Sequence, residues 1–120
     1  MPVEQERTVN AVIECVDVCK SFPTPNGEYE VVKNFNVKAK ENEFLVLFGP
    51  GQCGKTTIIN LIAGFEKVSS GKIRMRDKAV EKPDPSRGVV FQSTALFPWM
   101  TTMGNVEYGP KSQGVPKKDR

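Results

Sequence analysis

A chain of 120 residues, 38% hydrophobic and 26% charged, has the balance of a globular domain with its own core, not of a disordered segment. No apolar run approaches the ~18 residues a membrane helix needs, and the complete absence of histidine excludes His-based general bases, Ser–His or Cys–His nucleophiles and His-ligated zinc from these residues. The formal charge of +3 resides in the last ten residues, where Lys111, Lys117, Lys118 and Arg120 outnumber Asp119; no basic face with interleaved aromatics is visible, so no nucleic-acid partner is expected.

Met1 to Arg7 lacks the apolar centre of a signal segment, which places the expected location on the cytoplasmic side. Residues 1–11 are polar and are expected to be disordered, with a single folded region over 12–120. Val12 to Lys20 alternates Val16 and Val18 against Asp17 and Cys19 and reads as a strand. Ser21 to Gly27, with Pro23, Pro25 and Asn26-Gly27, reads as a turn. Glu30 to Lys40 resumes strand character, with Phe35, Val37 and Ala39 on one face, so the two segments are expected to form an antiparallel hairpin. Of the three cysteines, Cys15 and Cys19 stand roughly 13 Å apart at strand rise, too far for a bridge.

Glu41-Asn42-Glu43 turns the chain into Phe44–Phe48, a continuous apolar run of the kind found in central parallel strands. A helix follows from Thr56 to Phe65, with Ile58, Ile59, Leu61, Ile62 and Phe65 as a broad buried stripe, and Gly64 and Ser69-Ser70-Gly71 end it. Lys72 to Arg76 reads as a short strand with Ile73 and Met75 inward, Lys82 to Ser86 as a loop because of two prolines, and Gly88 to Gln92 as a further β run. Ala95 to Val106 mixes Pro98, Trp99, Met103 and Gly104 and matches no single period. Pro116 reads as the first-turn residue of a helix.

Between the apolar run and the helix, Gly49, Gly54, Lys55 and Thr56 spell G-x-x-x-x-G-K-[ST], the phosphate-binding loop signature. Its glycines let successive N–H groups line one concavity, and the following helix contributes its unsatisfied amides and the positive end of its dipole. Gly49, Pro50, Gly51, Gln52, Cys53, Gly54, Lys55, Thr56 and Thr57 are therefore the candidate nucleotide-phosphate site. Lys55 supplies a point charge for the outer phosphates, and Thr56 a hard oxygen suited to Mg²⁺. Cys53 reads as a small loop residue, with redox sensing as its rival role.

With Val90-Phe91-Gln92 and Leu96-Phe97-Pro98-Trp99-Met100-Thr101 added to this loop, the chain from Val12 to Arg120 resembles the N-terminal half of the ATP-binding subunit of ABC transporters. The nearest flavour is the nitrate/sulfonate/taurine importer group. Asn105-Val106 and Gly109 also fall where that family has them.

The resemblance implies an α/β fold: a P-loop NTPase core with a mainly parallel sheet and an N-terminal antiparallel β subdomain. It implies ATP and Mg²⁺ as ligands, and Gln92 as the glutamine that contacts the metal and the attacking water. It also implies Phe22 as the aromatic that stacks on adenine, with Tyr29 as a rival. Implied partners are transmembrane permease subunits and a second ATP-binding subunit, with the protein held on the inner face of the membrane. The Leu96–Met100 cluster is expected either to face the permease or to pack within its own helical region.

The chain departs from the family pattern in three places: Gly51-Gln52 stands where the family commonly has Ser-Gly, and the family usually has a glycine near Lys78 and a glutamate near Gly104. If position 52 needs a left-handed backbone, Gln costs roughly 1–2 kcal/mol, unless Gly51 absorbs the bend. The family's signature segment, its Asp–Glu pair and its switch histidine lie in a second half, so the chain reads as truncated. A non-catalytic nucleotide-binding fragment and a small-molecule kinase stand as alternatives to a transporter ATPase.

Overall fold

The computed structural model describes residues 11–51 and 54–120. They form two compact units, one ending at Gly88 and one running from Val89 to Arg120.

The first unit is built on a four-stranded antiparallel sheet of order β2-β1-β3-β4. Strand β1 (Ala11–Thr24) and β2 (Gly27–Lys40) form the expected hairpin, but they are longer than the prolines suggested. Phe22 pairs with Tyr29, Pro23 with Glu28 and Thr24 with Gly27, so only Pro25-Asn26 forms the loop. Pro23 is tolerated because β3 accompanies β1 only as far as Cys19, and beyond it β1 has one neighbour to bond. Strand β3 (Ser70–Met75) turns into the two-residue β4 (Lys78–Ala79) through Arg76 and Asp77, both left-handed at φ 47° and 64°. Positive φ at both central residues is what a tight type I′ hairpin demands. The sequence alone had shown no β4.

Helix α1 (Lys55–Ala63) is shorter than expected because Gly64, at φ 87°, leaves the helix there. The Phe65 amide donates to the Asn60 carbonyl and the Gly64 amide to that of Leu61, a Schellman closure. A side chain at Gly64 would meet the Lys82 carbonyl group at 2.5 Å, so the loop after β4 lies directly against this helix end. Arg87 joins the same junction, donating to the carbonyls of Ala63 and Lys82.

The core joins Ile58 and Leu61 of α1 to Cys15, Val18, Val32 and Ile73 of the sheet. The buried stripe is narrower than the sequence suggested: Ile59 and Phe65 are exposed. Cys15 and Cys19 are both free thiols. Burial, assisted by the Glu14 carboxylate, pushes the Cys15 thiol up to about 11, so at neutral pH it stays protonated and behaves as a small hydrophobe. Because Leu61 is 2% exposed at the centre of the helix–sheet contact, Leu61→Ala is expected to cost about 3 kcal/mol, read as a lowered urea midpoint with an unchanged slope.

Two expected strands are absent, and among the described residues the sheet is antiparallel throughout instead of mainly parallel. Phe44–Phe48 is not a strand of the described sheet, with Phe44 92% and Phe48 98% exposed, and the segment 88–92 also lies outside that sheet, with Val90 99% exposed. Apolar composition favours strand conformation, but a strand forms only where a neighbour accepts its backbone hydrogen bonds. Neither run belongs to the described sheet, although Leu47 packs against its core.

The second unit centres on helix α2 (Thr102–Ser112), capped by the Thr101 hydroxyl, which accepts from the Gly104 amide at 3.0 Å. After Pro116 the chain makes a short 3₁₀ turn, Lys117–Asp119, in place of a full helix start. Among the described residues no helix is long and apolar enough to cross a membrane.

Candidate functional site

Every described residue of the phosphate-binding signature lies in the first unit, between the unpaired Phe44–Phe48 run and α1. Gly54 is the residue that turns the chain. It is buried and left-handed at φ 89°, its carbonyl accepts the Ile58 amide at 2.9 Å, and it stands immediately before the helix. A Cβ placed on it would lie 2.9 Å from the Val31 carbonyl oxygen and 3.3 Å from a Val31 methyl. The absence of a side chain therefore lets the loop settle onto β2. Gly51 is not left-handed and its Cβ direction is open; the backbone at position 52, on which the cost of glutamine depends, lies outside the described residues. Gln52 and Cys53 lie outside the described residues.

Lys55, the first helical residue, folds its side chain back over the loop. Its ammonium donates to the Gly49 carbonyl and, at 2.9 Å, to the Pro50 carbonyl. An ammonium has three donors, so a third remains for an incoming anion. Since Ile58 makes the first intrahelical bond, the amides of Lys55, Thr56 and Thr57 are the ones the helix does not itself use. No acidic residue occupies the first turn to repel an anion there. Thr56 is exposed and Thr57 half-buried.

Phe22 is half-buried near the far end of β1, opposite the exposed Tyr29. Gln92 belongs to the second unit, where it is exposed and outside any strand. Within that unit Phe97 packs against Trp99 and Tyr108, with ring centroids 5.2 and 4.7 Å apart, while Leu96 and Trp99 point outward. Phe97 thus packs inside its own unit, while Leu96 and Trp99 are exposed.

Asn105 holds that arrangement together. Its carboxamide oxygen accepts the Phe97 amide at 2.8 Å, and its nitrogen donates to the carbonyls of Phe97 and Thr101 at 3.2 and 3.0 Å. Sequence reasoning noted Asn105 only by position, and α2 itself was hidden by Gly104 and by Pro110 inside the helix.

Among the described residues there is no cluster of three or more Cys, Asp or Glu that could cage a metal. The donor set fits Mg²⁺ held in another way: one exposed hydroxyl, Thr56, beside a cradle for phosphates, which would supply the remaining charged oxygens.

A left-handed glycine, a lysine arched over the loop and a bare helix start are the features by which P-loop nucleotide-binding proteins hold phosphate. The ABC transporter family profile matches residues 32–120, and the chain belongs to that family. It is 36% identical over 118 residues to an uncharacterized ABC transporter ATP-binding protein of Methanocaldococcus jannaschii, covering 98% of this chain and 44% of that one. A taurine import ATP-binding protein, TauB, of Roseobacter denitrificans is 40% identical over 100 residues, covering 82% of this chain and 37% of its own. The bicarbonate transport ATP-binding protein CmpD of Synechococcus elongatus is 42% identical over 90 residues, covering 75% and 32%. Among solved structures, the dimeric ATP-binding cassette MJ0796 in a post-hydrolysis state bound to ADP and Pi superposes with a TM-score of 0.79 at 25% identity, covering 89% of this chain and 51% of that one. The chain therefore spans less than half the length of these curated relatives.

Proposed function

We propose that residues 12–120 form the nucleotide-phosphate half of an ATPase subunit that couples ATP hydrolysis to import of a small solute of the nitrate, sulfonate, taurine or bicarbonate kind. The observation that carries this reading is the cradle itself: Gly54 seated on β2 and Lys55 arched over Gly49 and Pro50. In this reading the loop from Gly49 to Thr57 binds the phosphates through its backbone N–H groups, Pro50 having none to give, and Lys55 offsets charge on the outer ones. The Thr56 hydroxyl ligates Mg²⁺, Phe22 stacks on adenine and Gln92 orients water. Mg²⁺, when bound, neutralises the phosphate oxygens.

The Phe44–Phe48 run takes its place in a parallel sheet once neighbouring strands flank it. Permease subunits and a second ATP-binding subunit are the partners, which sets the protein on the cytoplasmic face of a membrane without spanning it. The support is family membership, the taurine and bicarbonate relatives, and the dimeric cassette it superposes on.

The test is Mg²⁺-dependent phosphate release by the full-length protein, reconstituted in vesicles with its permease. Release that rises with permease and drives solute uptake is expected, and Gln92→Ala is expected to lower turnover while nucleotide affinity holds. Nucleotide binding without turnover would point to a non-catalytic binder. Transfer of phosphate to an acceptor other than water would point to a kinase.

A further inference from the structure

At the far end of β1 a lysine lies against the aromatic ring assigned to the base. Lys20 and Phe22 stand two apart on the strand, and the Lys20 ammonium sits 5.0 Å from the centroid of the Phe22 ring. That ammonium is not a loose surface charge: its side chain is 13% exposed, it donates to the Lys67 carbonyl at 2.6 Å, and it lies 3.4 Å from the Glu66 carboxylate. Two residues beyond the Lys67 anchor, Ser69 is bonded to both neighbours of Lys20. The Ser69 amide donates to the Cys19 carbonyl at 2.9 Å, and the Ser21 amide donates to the Ser69 hydroxyl at 3.0 Å. The 66–69 segment is thus laced to β1 on either side of Lys20.

We infer that Lys20 is a positioning residue for nucleotide-base recognition: clamped by Lys67 and Glu66, it covers one face of Phe22 and leaves the ring's remaining exposure to a planar base. The inference rests on the reading of Phe22 as the base stacker. Two reasons make the cation more than a spacer. A ring backed on one side loses the freedom to swing between rotamers, so less ordering is left to do when a base arrives. A cation over a ring face also draws π density toward itself. Stacked rings repel through their negative faces, so this draws down the repulsion that an incoming base meets on the other side.

The experiment compares Mg²⁺-ATP with inorganic tripolyphosphate, which carries the phosphates without a base, on the full-length protein and on Lys20→Met, Lys20→Arg and Phe22→Ala. Lys20→Met is expected to weaken ATP binding about threefold to tenfold while tripolyphosphate binding stays unchanged, and Lys20→Arg to retain most of the preference. An equal loss for both ligands would show Lys20 to be merely structural and would overturn the inference, as would no loss for either. Phe22→Ala separates the two readings. If it lowers the ATP preference and Lys20→Met does not, only the role of Lys20 fails. If it too leaves the preference untouched, the base-stacking assignment fails and takes the Lys20 role with it.

Discussion

Replacing Lys55 with Ala is expected to weaken Mg²⁺-ATP binding to the full-length protein by about a hundredfold, with the melting temperature nearly unchanged. A charge-assisted hydrogen bond to a phosphate oxygen contributes about 1.5–3 kcal/mol, and the unit charge adds Coulomb attraction to every other phosphate oxygen nearby. A loss of about 3 kcal/mol is about a hundredfold in affinity. Stability should hold because the two carbonyls that Lys55 engages, on Gly49 and Pro50, belong to a half-buried and an exposed residue and can turn to water. Lys55→Arg should not rescue, since a planar fork cannot replace a compact ammonium bonded to two converging carbonyls and a phosphate. Titration calorimetry with ATP, alongside a thermal melt, decides it; unchanged affinity in Lys55→Ala would rule out the cradle as the nucleotide site.

The second large effect is expected at Gly54, and here binding and stability should fall together. Gly54→Ala places a methyl 2.9 Å from the Val31 carbonyl oxygen, a separation Cβ atoms essentially never show, on a backbone held at φ 89°. The left-handed conformation alone costs an alanine about 1–2 kcal/mol. The clash is with backbone, so no side-chain rotation relieves it, and the total should reach about 2–4 kcal/mol. Either the loop lifts from β2 or the first turn of α1 unwinds, and in both cases the amides of residues 55–57 lose their common direction. A lowered melting temperature with no detectable ATP binding is the expected outcome. Gly51→Ala is the matched control, since its Cβ direction is open and its φ is not positive; it should melt close to the unaltered protein. A Gly54→Ala protein that melted normally would mean that the contact with Val31 is not tight.

What could be read from the chain beforehand was local chemistry. The loop signature, the hairpin and the amphipathic helix each announce themselves within a dozen residues, and the hairpin and the helix are found where expected. The ends of elements were harder. Pro23 argued for a turn, but β1 at that point has a single neighbour and the ladder continues through Thr24. Helix α2 was masked by Gly104 and Pro110, whose local preferences are overridden by the Thr101 cap and the Asn105 bonds. The contact that makes Gly54 necessary reaches Val31, more than twenty residues away, and periodicity carries no information about such a partner. Phe44–Phe48 shows the converse limit: its composition is that of a buried strand, yet composition cannot supply the strands that would flank it.

That unpaired run enters Gly49 directly, with no intervening turn, and this couples two equilibria. Any ligand that orders the loop also fixes the end of the apolar run that leads into it, and any strand that docks beside Phe44–Phe48 fixes one wall of the loop. By thermodynamic reciprocity the two events favour one another by equal amounts. A nucleotide would then act as a template for completing the sheet, and the strength of strand docking would set how tightly the nucleotide is held. Local opening of the run, seen as rapid amide exchange at Leu45–Leu47, should slow when ATP is added, even though no atom of the ligand need touch those residues.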